Sequence, residues 1–193
     1  MKKLMIAAAV VCAAVAVQAA SFTWQTKASQ YVLVGNGKST SSDRLGSGTA
    51  YIFDAAKVTQ QALVEAFATD KTFDISTFKV EGNGAIDHQA VSKGVIAVGD
   101  AATYGTAGTV YNMYFAIVNG DNLYISTLAE YGAPAGSDAE PLKFAETNAS
   151  KPVPLDAGEG YKGAGWYTAV PEPTSGLLLL LGVAGLALRR RRA

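Results

Sequence analysis

The residues that could carry chemistry are few. His88 is the only histidine and follows Asp87, so a base and a carboxylate stand side by side. A Ser-His-Asp triad needs both, but neighbours along a strand point to opposite faces. No Gly-x-Ser-x-Gly elbow accompanies them, and His88 reads as an exposed strand or loop position. A zinc site built on one histidine would need several carboxylates to converge on it. Residues 20–169 hold 15 carboxylates, enough to contain some pair at glycosidase spacing by accident. Asp121, and Asp70 with Asp74, suit weak Ca²⁺ binding, yet no Asp-x-Asp-x-Asp-Gly loop surrounds them, so turn chemistry explains them better. Val32 to Thr40 imitates a phosphate-binding loop through Gly37-Lys38-Ser39, with Val32 where the pattern needs glycine. No helix is expected after it to aim amides at a phosphate. Gly82-Asn83-Gly84 reads as a turn, and Asn148-Ala149-Ser150 as a chance glycosylation match. The threonines are too scattered for a flat ice-binding array. We therefore expect no catalytic, cofactor-binding or metal-binding residue in the body of the chain.

The elements that would position these residues are mostly strands. Thr109 to Val118 is a run of β-formers apolar on both faces, and Asn119-Gly120-Asp121-Asn122 separates it from Leu123 to Leu128. This predicts an antiparallel hairpin with a central first strand. On the second strand Leu123 and Ile125 share one face, with Tyr124 and Ser126 opposite. Further strands are expected at Phe22–Trp24, Tyr31–Val34, Ala50–Phe53, Phe78–Val80, Gly94–Val98, Leu142–Phe144 and Gly165–Thr168. One helix is expected from Ala55 to Ala68, capped by Asp54, with Val58, Ala62, Leu63, Ala66 and Phe67 as its apolar stripe. Between Ala129 and Gly165 the composition suggests long loops around the single strand at 142–144. Together these predict a mainly-β, antiparallel, β-sandwich-like domain with one short helix, over residues 20–169.

Composition divides the chain into three. The 193 residues carry 16 basic and 16 acidic side chains, but Lys2 and Lys3 sit at one end and Arg189 to Arg192 at the other. The middle keeps 10 basic and 15 acidic residues, a balance that speaks against nucleic acid as a partner. Met1-Lys2-Lys3, the apolar run from Leu4 to Val17 and the small residues of Val17-Gln18-Ala19 form a secretory signal peptide over residues 1–19. That predicts Sec export and cleavage by signal peptidase after Ala19. Cys12, the only cysteine, lies inside this leader, which excludes disulfides and thiolate chemistry from the rest. Gly176 to Leu188 is apolar for 13 residues, about 20 Å as a helix against a hydrocarbon core of about 30 Å. A helix over about 175–188 spans only with bilayer thinning, and Arg189, Arg190, Arg191 and Arg192 stop it with the C-terminus in the cytoplasm.

Val170-Pro171-Glu172-Pro173-Thr174, the short Leu/Gly/Ala helix and the arginine cluster resemble the PEP-CTERM sorting signal over residues 170–193. The resemblance implies a Gram-negative, exopolysaccharide-producing bacterium and processing near Pro171, Glu172 and Pro173 by an exosortase, a membrane cysteine transpeptidase. It implies a precursor briefly in the cytoplasmic membrane and a mature form at the cell surface or in the extracellular, biofilm-type matrix. It gives an address and no activity, since such tails accompany unrelated folds. The body is expected to be a non-enzymatic structural or polysaccharide-binding module. The alternatives are a small exported glycan hydrolase using two carboxylates, or a membrane-anchored surface protein that keeps its tail.

Overall fold

The computed structural model describes residues 19–69, 73–78, 87–99, 102–133, 140–146, 148–155 and 160–169. Strands, numbered in chain order, dominate it. The longest, β7 (Val110–Asn119), lies inside an eight-stranded sheet. On one side it pairs with β3 (Ser47–Asp54), then β4 (Asp87–Ser92) and β5 (Val95–Ile96). On the other it pairs with β8 (Asn122–Ile125), followed by β12 (Gly165–Ala169) and β11 (Val153–Leu155). A further strand, β9 (Ala129–Gly132), pairs with the first half of β7. Two small pairs complete the set: β1 (Ala19–Phe22) antiparallel to β6 (Ala102–Thr106), and β2 (Trp24–Thr26) parallel to β10 (Leu142–Phe144). The fold is mainly β, with antiparallel pairing in the middle of the sheet.

Burial follows from the pattern of β7. Met113, Phe115 and Ile117 enter one core with Trp24, Ile52, Tyr124, Phe144 and Trp166. Tyr114 and Ala116 enter a second core with Phe53, Leu123, Ile125, Tyr167 and the helix α1 (Gln60–Thr69). A strand apolar on both faces has to be covered on both, which makes it central. The strand pairs β1–β6 and β2–β10 contribute to the first cover, and α1 to the second. The β7–β8 turn is a two-residue loop, Asn119 facing Asn122. Gly120 supplies its positive φ of 57°, as a II′ turn requires at the first central position. Leu123 and Ile125 do face away from Tyr124, each set in its own core.

Several boundaries differ from the expectation. The helix begins at Gln60, five residues after Ala55, because Asp54 is held in β3 and its carboxylate takes the Ala56 amide at 2.9 Å. The cap is Thr59, whose hydroxyl accepts from the Ala62 amide at 3.1 Å. The stripe rotates with it: Leu63, Val64 and Phe67 are buried in the helix, whereas Ala62 and Ala66 are half-buried. Phe22–Trp24 is split between β1 and β2. Tyr31–Val34 is not a strand: Leu33 makes one isolated bridge to Arg44. Its apolar side chains fill the core while the chain turns at Gly35, where a Cβ would stand 2.9 Å from the Trp166 ring. The strand expected at Gly94–Val98 shortens to Val95–Ile96, whose outer edge is closed by Thr26. The Thr26 hydroxyl accepts from the Ile96 amide at 3.2 Å and donates to its carbonyl at 3.3 Å. Among the described residues from 129 to 164 there are three strands, since β9 and β11 join β10. Lys79 and Val80 lie outside the described residues.

Phe115 meets Trp24, Tyr124 and Phe144 with ring centroids 5.8, 5.7 and 5.0 Å away. Phe115→Ala should cost about 3–5 kcal/mol by leaving a cavity between these rings. Thr59→Ala should cost about 1 kcal/mol by removing the helix cap. Urea unfolding of residues 20–169, which we expect to fold without either end, measures both; equal costs would contradict the packing described.

Candidate functional site

His88 lies on β4 opposite Tyr51 of β3. Its ring is exposed and sits 5.8 Å from the tyrosine ring. Asp87 turns the other way. Its Oδ2 accepts from the Trp24 indole N–H at 3.2 Å and the Gln89 amide at 3.1 Å. The strand geometry therefore separates the base from the carboxylate, and Asp87 serves as an anchor for Trp24 in the first core.

Two other carboxylates are more deeply buried. Asp54 is 3% exposed, and besides the Ala56 amide it accepts from the Tyr104 hydroxyl at 2.6 Å. Burial, and then this bond to Asp54, pushes the Tyr104 hydroxyl far above its ordinary range. The Lys57 ammonium stands 5.0 Å over the Tyr104 ring. Glu146 is 2% exposed and accepts from the Tyr124 hydroxyl, the Thr127 amide at 3.1 Å and the Thr127 hydroxyl at 3.0 Å. Burial raises its carboxyl above the ordinary value, against these bonds, which favour the anion. Sequence reasoning missed Glu146 and gave Asp54 only as a helix cap, yet a signal was present. Asp54 continues the inward phase of Ala50 and Ile52, and Glu146 that of Leu142 and Phe144. A carboxylate in phase with buried positions needs donors waiting for it.

The remaining candidates are turns. In the phosphate-loop imitation, Asn36 Oδ1 accepts from the Lys38 amide at 2.8 Å and its Nδ2 donates to Asp43 at 2.6 Å. Hydrogen bonds from Thr40 and Asn36 hold the Asp43 carboxyl below its ordinary range. Only a three-residue 3-10 turn, Ser41–Asp43, follows. Asp74 takes the Ser76 amide and hydroxyl at 2.9 and 2.7 Å, and Asp121 sits in the β7–β8 turn. Asp70 and Gly82-Asn83-Gly84 lie outside the described residues. Among the described residues no group of three or more His, Cys, Asp or Glu side chains is placed to hold a metal ion. The aromatics are largely inside. Trp24 and Trp166 are 0% and 2% exposed, and no tyrosine is fully exposed. Tyr104 and Tyr111 are half-buried, their rings 5.3 Å apart and edge to face.

The chain ends of the fold are the other candidate. Ala19, the expected cleavage residue, is the first described residue and opens β1 opposite Thr106. Ala169 closes β12 opposite Leu155. Pro171, Glu172, Pro173, the helix expected at 175–188 and Arg189 to Arg192 lie outside the described residues, as do residues 1–18 of the expected leader. Among the described residues no helix is long and apolar enough to cross a membrane.

The family model of the PEP-CTERM protein-sorting motif matches residues 169–192. Its match starts on the last residue of β12. No curated protein and no solved structure matches the chain. The chain therefore ends in a PEP-CTERM sorting motif, and the motif marks an exported protein with an exosortase as its processing partner.

Glu146 gives a test of the buried network. Its carboxyl is raised in the folded state above the ordinary 4.5, so the folded form holds its proton longer than the unfolded chain. The stability this contributes is complete below 4.5 and is lost as pH rises through the folded value. Glu146→Gln removes that loss. The difference in unfolding free energy between variant and wild type should shift in the variant's favour as pH rises above 4.5; a pH-independent difference would contradict the assignment.

Proposed function

We propose that the protein is a surface or matrix component of a Gram-negative, exopolysaccharide-producing bacterium, delivered by its tail and non-enzymatic in its body. A signal peptide, residues 1–19, is removed by signal peptidase after Ala19. The sandwich-like body, residues 20–169, folds outside. The helix at about 175–188 holds the precursor in the cytoplasmic membrane until an exosortase processes it near Pro171-Glu172-Pro173. The observation that carries the reading is the match over residues 169–192, which begins on Ala169, the last residue of β12.

The buried carboxylates support a structural body over a hydrolase. A glycosidase keeps one carboxyl free to give a proton and another free to attack or activate water. Asp54 and Glu146 are instead engaged by hydroxyl and amide donors from their own surroundings. For a polysaccharide partner, the half-buried Tyr104 and Tyr111, with Lys57 beside them, are the aromatic surface best suited to a sugar ring.

Three experiments test the two halves. Replacing Pro171, Glu172 and Pro173 by alanine should leave uncleaved precursor in the cytoplasmic membrane of the native host. Replacing Arg189 to Arg192 by neutral residues should instead let some chains slip through or invert with the tail intact. For the body, incubation with the host's own exopolysaccharide should leave the polymer's chain length unchanged. A fall in length catalysed by the purified body would replace the structural reading by the hydrolase.

A further inference from the structure

The two junctions of the body lie at opposite ends of its longest strand. β12 and β7 are both antiparallel to β8, so they run in the same direction. Thr168 pairs with Asn122 and Asn122 with Asn119, which puts Ala169 beside the β7–β8 turn. Ala19 pairs with Thr106, and the Thr109 amide bonds back to the Thr106 carbonyl just before β7 starts at Val110. The ten residues of β7 separate these ends by about 30 Å.

The tether on the tail side is short. Six residues, 170–175, stand between β12 and the apolar stretch, a reach of about 20 Å at full extension. The tether is not readily lengthened by peeling β12 away. Trp166 and Tyr167 are 2% and 1% exposed, and the Trp166 indole N–H donates to the Leu33 carbonyl at 2.7 Å. β8 and β11 hold both edges of the strand.

We propose that, while the tail is in the membrane, the body stands on its β7–β8 turn. Asn119, Gly120, Asp121, Asn122 and Thr168 then face the headgroups and the membrane-embedded transpeptidase. The Thr106–Thr109 turn, with the start of β1, points away. This rests on the membrane-held tail of the proposed function and adds an orientation to it. The partner meets a polar strand-end surface, brought close by the tether.

The body of the chain has no cysteine, so single labels report position cleanly. Leader-free precursors, residues 20–193, carrying either Asp121→Cys or Ala107→Cys are labelled with a fluorophore. They are reconstituted in phosphatidylethanolamine–phosphatidylglycerol vesicles containing headgroup spin-labelled lipid. The label at 121 should be quenched several-fold more than the label at 107. Equal quenching, or stronger quenching at 107, in a chain that floats with the vesicles overturns the orientation alone. A chain that does not float overturns the membrane-held tail and the orientation with it. A Gly-Ser insertion of about 15 residues after Ala169 adds about 20 Å of flexible reach and should erase the difference. A difference that survives the insertion would mean that the body binds the membrane by itself, which contradicts a tether-set orientation.

Discussion

A strand with large apolar side chains on both faces cannot lie at a protein surface, and β7 is such a strand. Met113, Phe115 and Ile117 on one side and Tyr114 and Ala116 on the other are each buried. Everything else in the body follows from covering them. α1 reaches one face through Leu63, Val64 and Phe67, and the small strand pairs reach the other through Phe22, Trp24 and Phe144. Residues 20–169 contain no cysteine and all 18 aromatic residues. The fold is therefore held by ring packing and hydrogen bonds where many small exported domains use disulfides. Trp166 shows the economy of that arrangement: its ring supports Gly35 and its indole N–H bonds to Leu33.

What could be read in advance depended on how strongly a segment declared its period. The β7–β8 hairpin, β10 and β12 were legible because dense β-formers met clear turn residues. β4 was not. Its inward positions are Gln89 and Val91, and an inward glutamine looks like a loop residue until its bond to Asp87 is seen. β11 was hidden by Pro154, which an edge strand tolerates. Tyr31–Val34 misled in the other direction, since an apolar run fills a core equally well from a turning backbone. The helix start was displaced because Asp54 has two possible uses, cap or core anchor, and Tyr104, fifty residues away, decides between them.

The same contrast holds for the chemistry. The tail motif is local: residue types at fixed spacing are enough to read it, and the match over residues 169–192 agrees with them. The buried carboxylates are non-local. Glu146 acquires its role from Tyr124 and Thr127, about twenty positions earlier in the chain, and nothing beside it in sequence announces them. Charge hidden in this way, with its donors supplied, fixes the geometry of a core and leaves no free carboxylate for catalysis at those positions.

In the proposed function the body is a self-supporting fold and the tail its signal for sorting by an exosortase. The mass of the mature C-terminus, measured on protein recovered from the surface or medium of the native host, tests this most directly. The account predicts a chain that ends near Pro171-Glu172-Pro173, with the apolar stretch and the arginines gone. A surface form that still ends in Arg189-Arg190-Arg191-Arg192-Ala193 would contradict it and leave a protein anchored by its own tail.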